Sequence, residues 1–270
     1  MKIVRTAVEV RQALGPRRGE SSVGFVPTMG ALHDGHVALM RAARLSCRRT
    51  VVSLFVNPTQ FNEPADLAAY PRNEARDAEL ASAAGVDVLF APDIRVVYPA
   101  GHATSIAVQG AALGFEGDHR PGHFAGVATV CVSLFNIVQP DVVFFGQKDA
   151  QQVAVIQQVV RDLHLEPRVE VVPTVRDVDG VALSSRNVRL SPDERARARA
   201  IPAALRAALA AHRQGADPVA AARAALTGLQ VDYVGLAAFV DGPTLVVAAR
   251  SGATRLIDNV PIDHPERAGL

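Results

Sequence analysis

No apolar run in the 270 residues approaches the roughly 20 needed to cross a bilayer, which excludes a spanning helix. Cysteine is almost missing. Cys47 and Cys131 stand alone without a C-x-x-C spacing, so reduced structural thiols are expected, not a disulfide framework or a zinc site. An excess of charge of either sign is lacking too: 28 basic residues face 27 acidic ones, for a net charge of +1. Such a chain offers no broad field to a phosphate backbone, so nucleic acid is not an expected partner. Met1-Lys2-Ile3-Val4-Arg5 passes into polar residues with no apolar stretch ahead of a small-residue cleavage site, which predicts a cytoplasmic protein. Scarcest in proportion is lysine. Arginine supplies nearly all the positive charge, and the only lysines are Lys2 and Lys148. A lone lysine in mid-chain suggests a task for a compact ammonium that a planar guanidinium would perform poorly.

What is present is globular: 49% of residues are hydrophobic and 20% charged. Up to about residue 174, β-branched runs alternate with helical patterns. Strands are predicted at Val23–Val26, Thr50–Val56, Val88–Phe90 and Val142–Phe145. Helices are predicted near His36–Arg49, Asn73–Ala84, Ala125–Val138 and Ala150–Leu163, with apolar residues three and four apart. The pattern predicts an α/β domain with a Rossmann-like parallel sheet over residues 1–174. Beyond a break at Pro173 come an Asp179-Gly180 turn, an Ala- and Arg-rich helical region from Pro192 to Leu226, and strands at Val231–Phe239, Leu245–Ala249 and Thr254–Asp258. These predict a smaller α+β domain over residues 175–270.

Chemistry-bearing residues gather where strands end. Met29-Gly30-Ala31-Leu32-His33-Asp34-Gly35-His36 follows the first predicted strand and opens a helix. In an open α/β sheet that junction lies at the carboxyl edge, where helix-end amides face bound anions. Gly30 and Gly35 permit close backbone approach, and two imidazoles three residues apart can hold phosphate oxygens and donate protons. A glycine turn with two surface histidines fits the bare spacing as well. Asn57 and Gln60 follow the next strand, and side-chain amides there suit a small hydroxy acid or a plain polar turn. Gly146-Gln147-Lys148-Asp149 follows the strand Val142–Phe145 and holds the mid-chain lysine, with Gln152 one turn into the following helix. Leu183-Ser184-Ser185-Arg186 is either an anion-clamping loop or a helix cap. His119 and His123 are expected to be satisfied loop histidines, not a metal pair.

The order His-x-Gly-His after a strand resembles the HIGH-type motif of the nucleotidyltransferase superfamily. Joined with FVNPTQF, DLAAYPR, RPGHFAGVATV, QPDVVFFGQKDAQQ, VPTVRD, LSSRN and the closing Thr254–Asn259, it is similar to the pantothenate synthetase family across nearly the whole chain. That resemblance implies a ligase that condenses pantoate with β-alanine through a pantoyl adenylate, with ATP as substrate, Mg²⁺ as cofactor and a homodimer as the assembly. It implies an ATP site lined by Met29, Gly30, Ala31, Leu32, His33, Asp34, Gly35, His36, Gly146, Gln147, Lys148, Asp149, Val175, Leu183, Ser184, Ser185 and Arg186. Among these, His36 is the implied proton donor, and His33, Lys148, Ser184, Ser185 and Arg186 act with it on the phosphates. Gln60 and Gln152, with Asn57 nearby, are implied to hold pantoate, and Gln60 to border β-alanine. Many relatives carry two adjacent acidic residues after Tyr-Pro-Arg, associated with Mg²⁺. Here Arg76 replaces one, leaving Asp77 as the implied ligand.

Overall fold

The computed structural model describes residues 1–15, 22–62, 64–240 and 242–270. Among them, no helix is long and apolar enough to cross a membrane. The chain forms two compact units. The first comprises residues 1–32, 36–145 and 151–172, and the second comprises 33–35, 146–150 and 173–270.

The first unit is built on a six-stranded sheet of β1 (Lys2–Val4), β2 (Val23–Thr28), β3 (Arg49–Leu54), β4 (Val88–Phe90), β5 (Val142–Gly146) and β6 (Arg168–Val172), in the order β1-β4-β3-β2-β5-β6. The pairs β1–β4, β4–β3, β3–β2 and β2–β5 are all parallel. Successive residues of a strand point to opposite faces, and here both sets are apolar. Phe25, Val51, Val88, Phe90, Val143 and Phe145 join the core under the helices Ala7–Leu14 and His123–Val138. Val26, Val52, Leu89, Val142 and Phe144 join the opposite core with Leu39, Met40 and Ala43 of the helix Asp34–Ser46 and Ala81 of the helix Glu74–Ala83. Phe25, Phe90 and Phe144 are each fully buried, which contributes about 2–3 kcal/mol apiece. The sheet is therefore covered on both faces, as a doubly wound fold requires.

The four predicted strands are present, and the differences lie at the margins. β3 starts at Arg49 and ends at Leu54, because Asn57 and Pro58 turn the chain into a short 3₁₀ helix, Pro58–Gln60. The first long helix begins at Asp34, two residues ahead of the expected start. β1 and β6 were not expected. Both are sheet edges; β1 has only three residues and β6 alternates charged with apolar ones.

The second unit has an antiparallel sheet, β7 (Gln230–Phe239), β8 (Gly242–Ser251) and β9 (Thr254–Pro261) in that order. The Ala- and Arg-rich region forms three helices, Pro192–Ala198, Ala200–Arg213 and Pro218–Ala225. Their small apolar faces, including Ala204, Leu205, Ala208 and Ala222, pack with Leu245, Val247 and Ala249 of β8. Ser191 and Glu194 form a capping box that sets the first helix start, and Asp217 caps the last.

Candidate active site

The strand order reverses between β2 and β5, and open α/β sheets bind ligands beyond the carboxyl ends of strands at such a point. The two chemistry-bearing stretches leave the sheet there. His33–Gly35 follows β2, Gly146–Ala150 includes the end of β5, and both group with the second unit.

In the first unit, the turn after β2 is held by an unexpected carboxylate. Gly30 and Ala31 take left-handed backbone angles, with φ of +81° and +52°, so the chain folds tightly before Leu32 enters the core. Asp77, buried in the first turn of the helix Glu74–Ala83, accepts from the amides of Ala31 at 2.9 Å and Leu32 at 2.8 Å, one on each oxygen. A Cβ on Gly30 would lie 2.9 Å from the same carboxylate. Asp77 thus braces the loop, and each of its oxygens keeps a second acceptor site. Met29 is half-buried beside this turn, and His36 sits half-buried in the first turn of the helix Asp34–Ser46.

The same unit places Asn57 and Gln60 in one buried network. The Asn57 side-chain carbonyl accepts from the Tyr98 hydroxyl at 2.8 Å, the Thr59 hydroxyl at 2.9 Å and the Thr59 amide at 3.3 Å. Its NH₂ donates to Gln60 Oε1 at 3.0 Å and to the Gly126 carbonyl at 3.2 Å. That fixes the orientation of Gln60: the carbonyl end is turned to Asn57, so the opposite end is a donor. His123 is buried at the start of its helix, with Nδ1 2.9 Å from the Gln60 backbone carbonyl oxygen and Nε2 3.0 Å from Arg120. As the sequence suggested, it is a satisfied histidine. Of the adjacent glutamines, Gln151 is structural: it accepts from Glu116 N and donates to the carbonyls of Ala111, Leu113 and Gly114. Gln152 is half-buried on the helix Ala150–Asp162.

In the second unit, His33, Lys148 and Asp149 interact. The Gly35 amide donates to His33 Nδ1 at 3.2 Å, so a neutral ring carries its hydrogen on Nε2. A Cβ on Gly35 would sit 2.9 Å from the ring, which explains glycine there. Burial, then the Lys148 ammonium, pushes the His33 pKa down to about 4, against weaker opposition from Asp149 and Asp34. His33 is therefore a neutral hydrogen-bond donor at pH 7. Lys148 Nζ lies 3.4 Å from Asp149 Oδ1. A Cβ on Gly146 would meet no atom within 4 Å, so open space adjoins the end of β5.

The remaining expected residues of that unit form one hairpin. Leu183 N donates to the Val175 carbonyl at 3.0 Å, and Arg176 bridges to Ala182. The turn between them closes through Asp177, Gly180 and Val181. Ser184 then caps a 3₁₀ helix, Ser185–Arg189, its hydroxyl accepting from Arg186 N at 3.3 Å. The cap and the anion-clamping loop suggested by sequence are thus compatible, since capping occupies one Ser184 acceptor and leaves Ser185 and Arg186 in the first turn.

The His33 shift has a measurable consequence. Between pH 6.5 and about 4 the unfolded chain takes up a proton on this ring that the folded protein resists. Stability is then fully present above pH 6.5 and declines as pH falls through that window, by up to about 3 kcal/mol. Urea unfolding of the wild type and His33→Asn at pH 7.5 and pH 5 measures it. The wild type should lose more than the variant, and an equal loss in both would contradict the assignment.

The pantoate–β-alanine ligase family model matches residues 2–261. A pantothenate synthetase of Rhizorhabdus wittichii is 50% identical over 97% of this chain and 99% of its own. Among solved structures, pantothenate synthetase from Thermus thermophilus superposes with a TM-score of 0.90 at 44% identity, over 97% of this chain and 99% of that one. Pantoate–β-alanine ligase from Francisella tularensis, solved in complex with β,γ-ATP and β-alanine, gives a TM-score of 0.83 at 34% identity over 97% of this chain and 98% of its own. With the switch-point motifs, the doubly wound sheet and the antiparallel second unit all accounted for, the chain belongs to the pantoate–β-alanine ligase family.

Proposed function

We propose that this protein condenses pantoate with β-alanine at the expense of ATP, giving pantothenate, AMP and pyrophosphate. The observation that carries the assignment is the grouping of neutral His33 with Lys148 and Asp149 on the segments that leave β2 and β5, in a chain of this family. In the first half-reaction a pantoate carboxylate oxygen attacks the α-phosphorus of ATP and the bond to pyrophosphate breaks. In the second, the β-alanine nitrogen attacks the acyl carbon, the bond to AMP breaks, and the nitrogen loses a proton.

Neither half requires a protein nucleophile. The work is alignment and stabilisation of negative charge. Lys148 is assigned to the phosphate oxygens, with Nε2–H of His33 as a second donor and His36 as the proton donor to the departing pyrophosphate. Asp149 is assigned to the ribose. Met29 to His36, Gly146 to Asp149, Val175 and the stretch from Leu183 through Ser184 and Ser185 to Arg186 form the nucleotide site. The donor end of Gln60 suits the carboxylate or a hydroxyl of pantoate, with Gln152 as its companion and Asn57 as the group that orients Gln60. Mg²⁺ neutralises phosphate charge when bound with ATP. Among the described residues no group of three or more potential ligands gathers. Asp77 accepts one amide on each oxygen and keeps a further lone pair on each, so it would be the protein residue to hold the ion, with phosphate oxygens and water as the other ligands. The proposal includes a cytoplasmic homodimer, whose scattering mass would be near twice 28.5 kDa.

Incubation with ATP, Mg²⁺ and pantoate, followed by β-alanine, tests the reaction. Pyrophosphate should appear in an enzyme-limited amount, and sustained AMP release should begin only with β-alanine. An adenylated product that persists after β-alanine is added would indicate an adenylyltransferase instead.

Gly126 gives a sharper test of the pantoate side. A Cβ there would lie 2.5 Å from the Thr59 carbonyl oxygen and 2.8 Å from Gln60 N, both backbone atoms of the turn that carries Gln60. Gly126→Ala must push that turn aside, and displacement on the 1 Å scale can cost about 100-fold. A rise of about 10-fold or more in KM for pantoate is expected, with KM for ATP little changed. Equal rises in both would place the effect elsewhere.

A further inference from the structure

The turn that carries Lys148 is fastened by a side chain from the C-terminal strand. Asn259, on β9, is 2% exposed. Its NH₂ donates to the carbonyl oxygens of Gln147 and Lys148, each at 2.9 Å, and its Oδ1 accepts from Gln147 Nε2 at 2.9 Å. Both amide hydrogens and the carbonyl of Asn259 are therefore directed at a single turn, Gln147–Asp149. The Asn259 backbone is held in its place in turn. Its N–H donates to Asp258 Oδ1 at 2.9 Å, and Asp258 is gripped by both terminal guanidinium nitrogens of Arg176 at 2.7 and 3.0 Å. Arg176 also donates to the carbonyls of Ala268 and Gly180. This polar network is buried and its carboxylate is doubly paired, so it has one well-defined arrangement.

We propose that Asn259 is a positioning residue that sets the Lys148 ammonium through the backbone of the Gln147–Asp149 turn. The proposal rests on the assignment of Lys148 to the phosphates. A lysine Nζ lies about 6 Å from its Cα, so a backbone rotation of about 10° moves the charge by about 1 Å, enough to impair electrostatic catalysis. No other common side chain of this size supplies the pattern: aspartate has no hydrogen to donate to two carbonyls, and leucine or alanine has neither donor nor acceptor.

A double-mutant cycle on pantoate-dependent exchange of pyrophosphate into ATP separates positioning from general support of the fold. Asn259→Ala should lower the exchange rate by about 30- to 100-fold with KM for pantoate unchanged, because the Gln60 network lies in the other unit. In a Lys148→Ala background the same substitution should change the rate by less than about 3-fold, since the charge it positions is gone. Asn259→Asp, nearly the same shape, opposes a carboxylate to the two carbonyls and serves if the alanine variant does not fold; it should show the same dependence on Lys148. Wild-type exchange in a folded Asn259 variant, or losses that multiply in the double variant, would overturn the proposal alone. Absence of exchange in the wild type would instead remove the phosphate assignment on which it depends.

Discussion

Lys148→Ala should lower pantoate-dependent pyrophosphate exchange by about 100- to 1,000-fold while the protein keeps its unfolding midpoint and its KM for pantoate. The size follows from removal of one preorganised donor at developing charge, about 2.7–4 kcal/mol in the transition state. Stability should hold because the Lys148 ammonium is still partly open to water, and its pairing with Asp149 at 3.4 Å joins a half-exposed carboxylate, an arrangement worth little to folding. Lys148→Arg should recover less than about a tenth of the loss. A guanidinium keeps the charge but is planar and bulkier, and cannot follow phosphoryl oxygens as a compact ammonium does. The His33 pKa gives an independent readout of the same substitution. Lys148 contributes to holding that imidazole down, so without it the His33 titration, followed by NMR, should move upward from about 4. An exchange rate within about 3-fold of wild type would remove Lys148 from the phosphate site.

The contrast between Lys148 and its supporting residues shows which features the sequence made legible. β-branched runs followed by Gly30, Asn57 and Gly146 could be read because strands bury apolar residues and sheet ends need turn residues, both local effects. The reversal of strand order that joins two of those ends could not be read in the same way, because alternation of strands with helices predicts a parallel sheet but leaves the order of its strands open. The edge strands β1 and β6 escaped, since three residues or a charged alternation give too little apolar signal. The supporting network was hidden for a different reason. Asn259 lies 112 residues from Gln147, and Asp258 lies 82 from Arg176. A polar pair within a strand gives no hint of such distant partners. Gln151 and Gln152 make the same point at short range: adjacent and chemically identical, they are told apart only by the carbonyls that Gln151 meets. Asp77 stands out in the sequence as the acid after Tyr-Pro-Arg, but its bonds to Ala31 and Leu32 depend on how one helix start meets one turn.

The largest stability effect is expected at Arg176. Its side chain is 6% exposed and that of Asp258 is 2% exposed, joined by two hydrogen bonds. Such a pair adds little net stability over a well-packed apolar pair, because desolvation of both charges offsets their attraction. Removal of one partner is another matter, since it strands the other charge in the interior at a cost of about 3–5 kcal/mol. Arg176→Met keeps much of the volume and leaves Asp258 uncompensated; it also withdraws the donors to Ala268 and Gly180, which tie the turn to the chain end. At about 2–4 °C per kcal/mol for a protein of this size, the thermal midpoint should fall by about 6–20 °C. Replacing both residues, Arg176→Met with Asp258→Leu, should restore at least half of that loss, because no charge is then left unpaired. Recovery of stability need not bring recovery of activity. Asp258 also accepts from the backbone of Asn259, so the double variant loosens the strand residue that holds the Lys148 turn. A double variant that is stable yet slow in exchange would separate the two tasks of the network. If instead the single Arg176→Met variant melts with the wild type, the buried pair is not the constraint that its geometry implies.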